Sequence, residues 1–226
     1  MKSFSRMLRP AVAVFLCVSF ALAQATPAPP PQQPQVEEWV DNFDGQQLNA
    51  DKWERFSFEG TSGGKLKLEE GELRMRGMNA SRSGIRSKQS FTSDRFIFEG
   101  TIIKVETPLP SPDQKGTPLG TAVLAIMFDG SGRNRIEWML TSEKTLEAWA
   151  VVDGAGERLD NRKLGTKLKN PTLGIVRRGD EFLFMLNGQE GLSKTIKNMR
   201  RSFRVMLYGW SSAENHWDSM RLVMAK

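Results

Sequence analysis

A single cysteine, a single histidine and a single tyrosine in 226 residues remove much of the common chemistry at once. Cys17 stands near the start, so the body of the chain has no disulfide and no cysteine zinc cluster and must be held by its core. One histidine rules out a histidine-rich zinc or iron centre. A serine–histidine–acid triad would have to use His216, and no G-x-S-x-G elbow accompanies it. Phosphate-cradling glycine motifs are missing too; Gly130-Ser131-Gly132 reads as a turn between strands. Arg82, Arg86, Arg95, Arg133 and Arg135 are not interleaved with aromatics in a stacking pattern, so no nucleic-acid partner is expected. No window sustains helical periodicity over three turns.

What is present begins with a leader. Lys2, Arg6 and Arg9 precede an apolar run from Ala11 to Ala23, and small residues suit cleavage after Ala23 or Ala25. The run is shorter than the roughly 20 apolar residues that span a bilayer. Leu16 before Cys17 does not suit a lipoprotein. Residues 1–25 are therefore expected to be a signal peptide, the protein periplasmic or secreted, with no stable membrane insertion once the signal is removed. Three basic residues leave with the leader, so the formal charge of +6 reflects a solvated basic surface more than an anionic partner. Residues 26–37 read as a Pro/Gln-rich spacer, because proline excludes helix and interior strand there and glutamine supplies no core. Residues 38–226 form the domain.

Within it, short period-two segments alternate with Gly, Asp, Asn and Pro. Leu66 and Leu68, then Leu73 and Met75, flank Glu70-Gly71 as a hairpin. Phe96 and Phe98 open a strand that runs to Val105. Ala122–Phe128 is apolar on both faces, as a central strand would be. Ile136, Trp138 and Leu140 follow, then Leu146–Val152. Phe182, Phe184 and Leu186 precede Asn187-Gly188, the strongest local hairpin signal. Phe203, Val205 and Leu207 form another series, and Met220, Leu222 and Met224 the last. Around ten short strands indicate an all-β sandwich or barrel. The proline-rich stretch Thr107–Gly120 is expected to be a surface loop at its rim.

Six tryptophans beside one tyrosine favour sugar recognition, since sugars stack apolar faces on aromatic rings. Trp138 shares a face with Ile136 and Leu140 and is assigned to the core. Trp149, Tyr208 and Trp210 either line a concave surface or fill the space between sheets. Arg135 and Glu137, on the face opposite Trp138, read as an exposed ion pair or as part of a site. His216, in ENHWD before the last strand, reads as a loop histidine or a ligand contact.

Three passages resemble the family 16 glycoside hydrolases of the concanavalin A-like lectin/glucanase superfamily. They are Asp41–Gly45 (DNFDG) with Leu48 and Lys52-Trp53; Ser83–Phe91 (SGIRSKQSF) continuing through Asp94–Lys104; and Trp217–Val223 (WDSMRLV). The resemblance implies a jelly-roll β-sandwich of two antiparallel sheets. Members carry E-x-D-x-(x)-E on one strand, and a retaining hydrolase needs two carboxyl groups about 5–5.5 Å apart. Along Asn134–Leu140 the nucleophile position falls on Arg135, the middle acid on Glu137 and the acid/base on Met139 or Leu140. Neither a guanidinium nor a thioether nor an alkyl chain can take those roles. No catalytic residue is therefore assigned. The resemblance also implies a structural calcium at Asn42, Gly71 and Asp218, with no cofactor required for function.

The expectation is an exported, non-catalytic carbohydrate-binding or cell-envelope domain, taking a polysaccharide or oligosaccharide, anionic ones included. Trp149, Tyr208 and Trp210 would stack on rings. Arg86, Arg135, Glu137 and His216 would meet hydroxyl or acidic groups. One alternative is a polysaccharide-degrading hydrolase or lyase with a non-standard site, such as Glu99 or Glu147 with Glu137 and His216. Another is a structural or protein-binding domain.

Overall fold

The computed structural model describes residues 36–58, 64–76, 82–108, 119–166, 168–210 and 213–225. The leader, nearly all of the spacer and the middle of the Thr107–Gly120 stretch lie outside the described residues.

Two eight-stranded antiparallel sheets make up the domain. The first contains β1 (Val36–Asp41), β3 (Lys65–Glu69), β4 (Glu72–Arg76), β7 (Arg95–Val105), β12 (Thr172–Arg178), β13 (Glu181–Leu186), β14 (Gln189–Thr195) and β16 (Glu214–Ala225). Its order is β14-β13-β12-β7-β16-β4-β3, with β1 also on β16. The second contains β2 (Trp53–Ser57), β5 (Arg82–Ser87), β6 (Phe91–Thr92), β8 (Thr121–Met127), β9 (Arg135–Thr141), β10 (Thr145–Val152), β11 (Ala155–Lys163) and β15 (Ser202–Trp210). It runs β11-β10-β9-β8-β15-β5-β2, with β6 on β15. This is the expected all-β jelly-roll sandwich.

The period-two pattern sorts residues between the faces. Ile136, Trp138 and Leu140 of β9, Leu146, Ala148 and Ala150 of β10, and Phe203, Val205 and Leu207 of β15 meet Phe98, Phe182, Phe184 and Trp217 of the first sheet. Trp138 is wholly buried and crosses the sandwich: its Nε1 donates to the Met185 carbonyl (2.8 Å), and its ring meets Phe184 edge-on. Burying each such side chain contributes about 1.5–3 kcal/mol. Every residue of β8 is buried, because its outer face is covered as well. There Val123, Ala125 and Met127 join Met139, Met206 and Tyr208 in a second cluster under Phe56, Phe58 and Trp149.

Both expected hairpins form. Glu70-Gly71 joins β3 to β4, and Asn187-Gly188 joins β13 to β14 with φ of 52° and 74°. Asparagine and glycine tolerate that left-handed pair better than other residues. The DNFDG passage is structural: Asp41 accepts from the Trp53 indole (2.8 Å) and from the Phe43 amide (2.9 Å), tying the entering chain to the core.

Two boundaries differ from expectation. Val36 and Glu37 belong to β1, paired with Ala225 and Met224, so the sheet begins inside the stretch read as spacer. His216 lies inside β16 rather than in a loop, paired with Arg74 and Lys104, and is buried. The polar run Asn215-His216 looked like loop. It is sheltered because Asn215 donates to the Met75 carbonyl and accepts from the Trp217 indole.

Candidate functional site

The outer face of the second sheet carries a groove of about 440 Å³, within the range of small-ligand pockets. Its floor is Arg135, Glu137 and Met139 of β9 with Glu147 and Trp149 of β10; Tyr208 and Trp210 of β15, Arg82 of β5 and Phe58 complete one side. The alternation that sends Ile136, Trp138 and Leu140 inward sends the floor of β9 outward. A smaller crevice of about 280 Å³ between the β2 and β3 edges is lined by Arg55, Phe56, Lys65, Leu66 and Arg76, with no carboxylate and no indole among the described residues.

At one end of the groove two turns are locked together by Asp129. Its carboxylate accepts from the amides of Ser131 (3.0 Å), Arg133 (3.1 Å) and Asn134 (2.7 Å), from Ser131 Oγ (2.9 Å) and from Asn134 Nδ2 (2.9 Å). Asn134 Oδ1 then accepts from the Asp153 amide (3.0 Å), and Arg133 Nη2 donates to the Asp153 carbonyl (2.7 Å). Gly132 sits there with φ +73°; a Cβ would stand 2.4 Å from the Phe58 ring, so only glycine lets Phe58 close over the floor. Partial burial would raise the Asp129 carboxyl, but hydrogen bonds from Asn134, Ser131 and the backbone outweigh it and hold the group below its ordinary range. A lowered folded pKa means stability present above the ordinary value near 4 and lost as pH falls through the folded one. Asp129→Asn is thus expected to cost about 1–3 kcal/mol near pH 7 in denaturant melts, the gap from wild type narrowing below about pH 4.

The structure brings Arg135 and Glu137 together, yet not as the exposed pair expected. They are 8% and 4% exposed. Arg135 Nε donates to Glu137 Oε1, Nη1 donates to the Gly132 carbonyl (2.6 Å), and the guanidinium lies 4.6 Å from the Phe58 ring centroid. Tyr208 Oη donates to the same Glu137 oxygen at 2.6 Å. Tyr208 is only 2% exposed, so it does not offer a sugar a stacking face. Burial, then the Glu137 charge and hydrogen bond, push its phenol well above the ordinary value. Tyr208 therefore stays protonated and serves as a donor to Glu137, not as a base or nucleophile at neutral pH.

Trp149 and Trp210 do reach the groove, and Trp210 is 49% exposed with its amide held by Thr121 Oγ1. Trp149 Nε1 donates to Glu147 (2.9 Å), and Arg158 lies 5.8 Å from its ring centroid. Glu147 opposes Met139 and Trp149 opposes Glu137, so the two glutamates are diagonal neighbours, about 7–8 Å apart along the backbone.

Arg86 does not line the groove. It faces the same side but is held by Glu54 Oε1 (2.6 Å) and the Gly130 carbonyl (3.0 Å) over Phe56. Arg82, four residues earlier on the same strand face, takes the place expected of it. His216 and Glu99 belong to the other sheet and are not part of this site. Arg82, Arg133 and Phe58 were not among the assigned contacts, and Glu147 entered only through the alternative enzyme reading; the alternation of β10 points to Glu147, whereas nothing local points to Phe58.

No family model and no curated protein matches the sequence. Solved structures do. An endo-β-1,3-glucanase from Pyrococcus furiosus superposes with a TM-score of 0.64 at 15% identity, over 83% of this chain and 94% of that one. A Bacillus licheniformis β-glucanase gives 0.61 at 13%, over 84% and 98%. The catalytic domain of an endo-1,3-β-glucanase (laminarinase) from Thermotoga petrophila RKU-1 gives 0.59 at 10%, over 86% and 100%. The chain therefore has the β-sandwich fold of glucanases and related carbohydrate-active proteins.

Proposed function

We propose that this is an exported domain that holds a polysaccharide along the groove and lacks the two-carboxylate hydrolysis of its fold relatives. One observation carries the reading: Glu137 is 4% exposed and neutralised by Arg135, whose guanidinium lies against Phe58, with Tyr208 on the same carboxylate oxygen. A carboxylate so engaged is a poor nucleophile, and Met139 beyond it on the strand has no proton to give. The open groove supplies what binding needs: indole faces at Trp149 and Trp210, with Arg82, Arg133 and Glu147 for hydroxyl or acidic groups. Glycans bearing some negative charge are included, because Arg133 stands on the lining beside the two indoles. A wholly structural role would leave no open groove and no half-exposed Trp210. Affinity electrophoresis in gels containing neutral and acidic polysaccharides tests the reading; retardation by at least one supports it, and free migration through all of them opposes it.

A second reading, polysaccharide cleavage with a non-standard site, has its own support. Glu137 and Glu147 line one groove, and the fold relatives are named as glucanases. In it the less buried Glu147 would be the proton-transfer group and Glu137 a fixed charge. Product release abolished by Glu147→Gln would establish it.

The expected calcium belongs to the proposal as a structural ion. Asn42, Gly71 and Asp218 would offer an amide, a carbonyl and a carboxylate oxygen, and they fit the ion in kind. Gly71 approaches the Asp44 carboxylate closely enough that a Cβ would stand 3.7 Å from Oδ1, which places a further acid at that corner. Calcium is expected to raise the melting temperature by a few degrees relative to EGTA, about 1 kcal/mol or more; identical melts would remove the ion from the account. Among the described residues no helix is long and apolar enough to cross a membrane.

A further inference from the structure

On the outer face of the first sheet, away from the groove, the only histidine lies in an unusual setting. His216 is 7% exposed, and among the described residues its Nε2 has no hydrogen-bond partner. An imidazole nitrogen buried without a partner costs free energy unless something occupies its lone pair. The opposite nitrogen, Nδ1, is 2.9 Å from Glu72 Oε2, and Arg74 donates to the same oxygen. A carboxylate accepts only, so Nδ1 donates to Glu72, which leaves Nε2 as the nitrogen that a metal would take.

Nε2 faces two acids. Glu214 Oε2 is 3.5 Å from Nε2, and the candidate ligand atoms of Glu106, Glu214 and His216 all lie within 4.8 Å of one another. The backbone fixes this meeting, because the Glu106 amide donates to the Glu214 carbonyl (2.9 Å) where β7 ends and β16 begins. A tetrahedral ion with ligands at about 2.0–2.2 Å needs donor atoms nearly 3.5 Å apart. Side-chain rotation of two half-buried glutamates reaches that spacing. Lys104 Nζ now pairs with Glu106 at 2.6 Å, but the lysine is exposed and can swing away.

We propose that His216, Glu106 and Glu214 form a site for a zinc-class divalent cation, with Glu72 as the positioning residue that orients the imidazole. One nitrogen and two carboxylates suit zinc, and two negative charges balance the ion. A carboxylate on the far ring nitrogen is the usual support for a metal-bound histidine. The ion clips the end of β7 to the start of β16 and leaves a coordination position for water or a ligand. This site is independent of the groove and of the function proposed for it.

Zinc titration of the untagged, EDTA-treated protein by calorimetry tests the assignment, with metal content after gel filtration as a second readout. The protein is expected to retain about one equivalent and to melt at a higher temperature with zinc. Glu214→Gln alters a partly exposed side chain, so the fold survives while retention is lost. Glu72→Gln weakens binding about 10–100-fold. Retention of no zinc by wild type, undiminished binding by Glu214→Gln, or saturation by calcium or magnesium with no response to zinc would each overturn the proposal.

Discussion

Arg135→Ala is expected to destabilise the domain by about 3–5 kcal/mol and to lower its melting temperature by roughly 6–20 °C. The reason is what the substitution leaves behind. Among the described residues Glu137, 4% exposed, would keep only the Tyr208 hydroxyl as a partner, and Phe58 would lose the guanidinium it rests on. An ionised carboxylate without compensation in that position must draw in water or take up a proton, and both disturb the packed face of Met127, Met139 and Met206. The double variant Arg135→Met with Glu137→Leu removes both charges and keeps the volume. It is expected to recover most of the loss, since an apolar pair of similar size often matches a buried ion pair. Thermal melts of the three proteins decide the matter. A change of less than about 1 kcal/mol for Arg135→Ala would mean that the pair is solvated, and the argument against a Glu137 nucleophile would lose its basis.

Trp210→Ala is expected to weaken polysaccharide binding by about 2 kcal/mol, close to thirtyfold, without unfolding the protein. Trp210 is half exposed at the end of β15, and its backbone is held by Thr121 independently of the ring. In the proposed function its indole stacks on the ligand. Trp149→Ala should show a similar loss of binding with an added loss of stability, because Trp149 also covers the methionine cluster. Retardation in polysaccharide gels and melting curves, measured side by side, separate the two effects. Unchanged binding by Trp210→Ala would move the ligand off this face.

How far the sequence led depended on the range of the interaction. The hairpins at Glu70-Gly71 and Asn187-Gly188 were legible because turn chemistry is local. Ala122–Phe128 was legible as a central strand because an unbroken apolar run needs cover on both faces. The sidedness of β10 and β15 also followed from alternation, which is why Trp149 and Trp210 were assigned as candidates for one surface. Burial of that face was not legible. Arg135 looked exposed because nothing near it in sequence announces that Phe58 closes over it. Arg86 and Arg82 share a strand face, and only the pairing of β2 with β5 reveals that Glu54 holds the former away from the groove that the latter lines. In β16, register shifts around Trp217 bury Asn215, His216 and Trp217 in succession, a pattern that period-two reading takes for a loop.

The most direct test of the central claim is release of new reducing ends from polysaccharides that the protein demonstrably binds, neutral β-glucans and acidic polymers alike. The account predicts binding with no release above a boiled control, in wild type and in Glu137→Gln alike. Steady release by wild type, lost in Glu137→Gln or Glu147→Gln while binding persists, would contradict it and make the groove an active site.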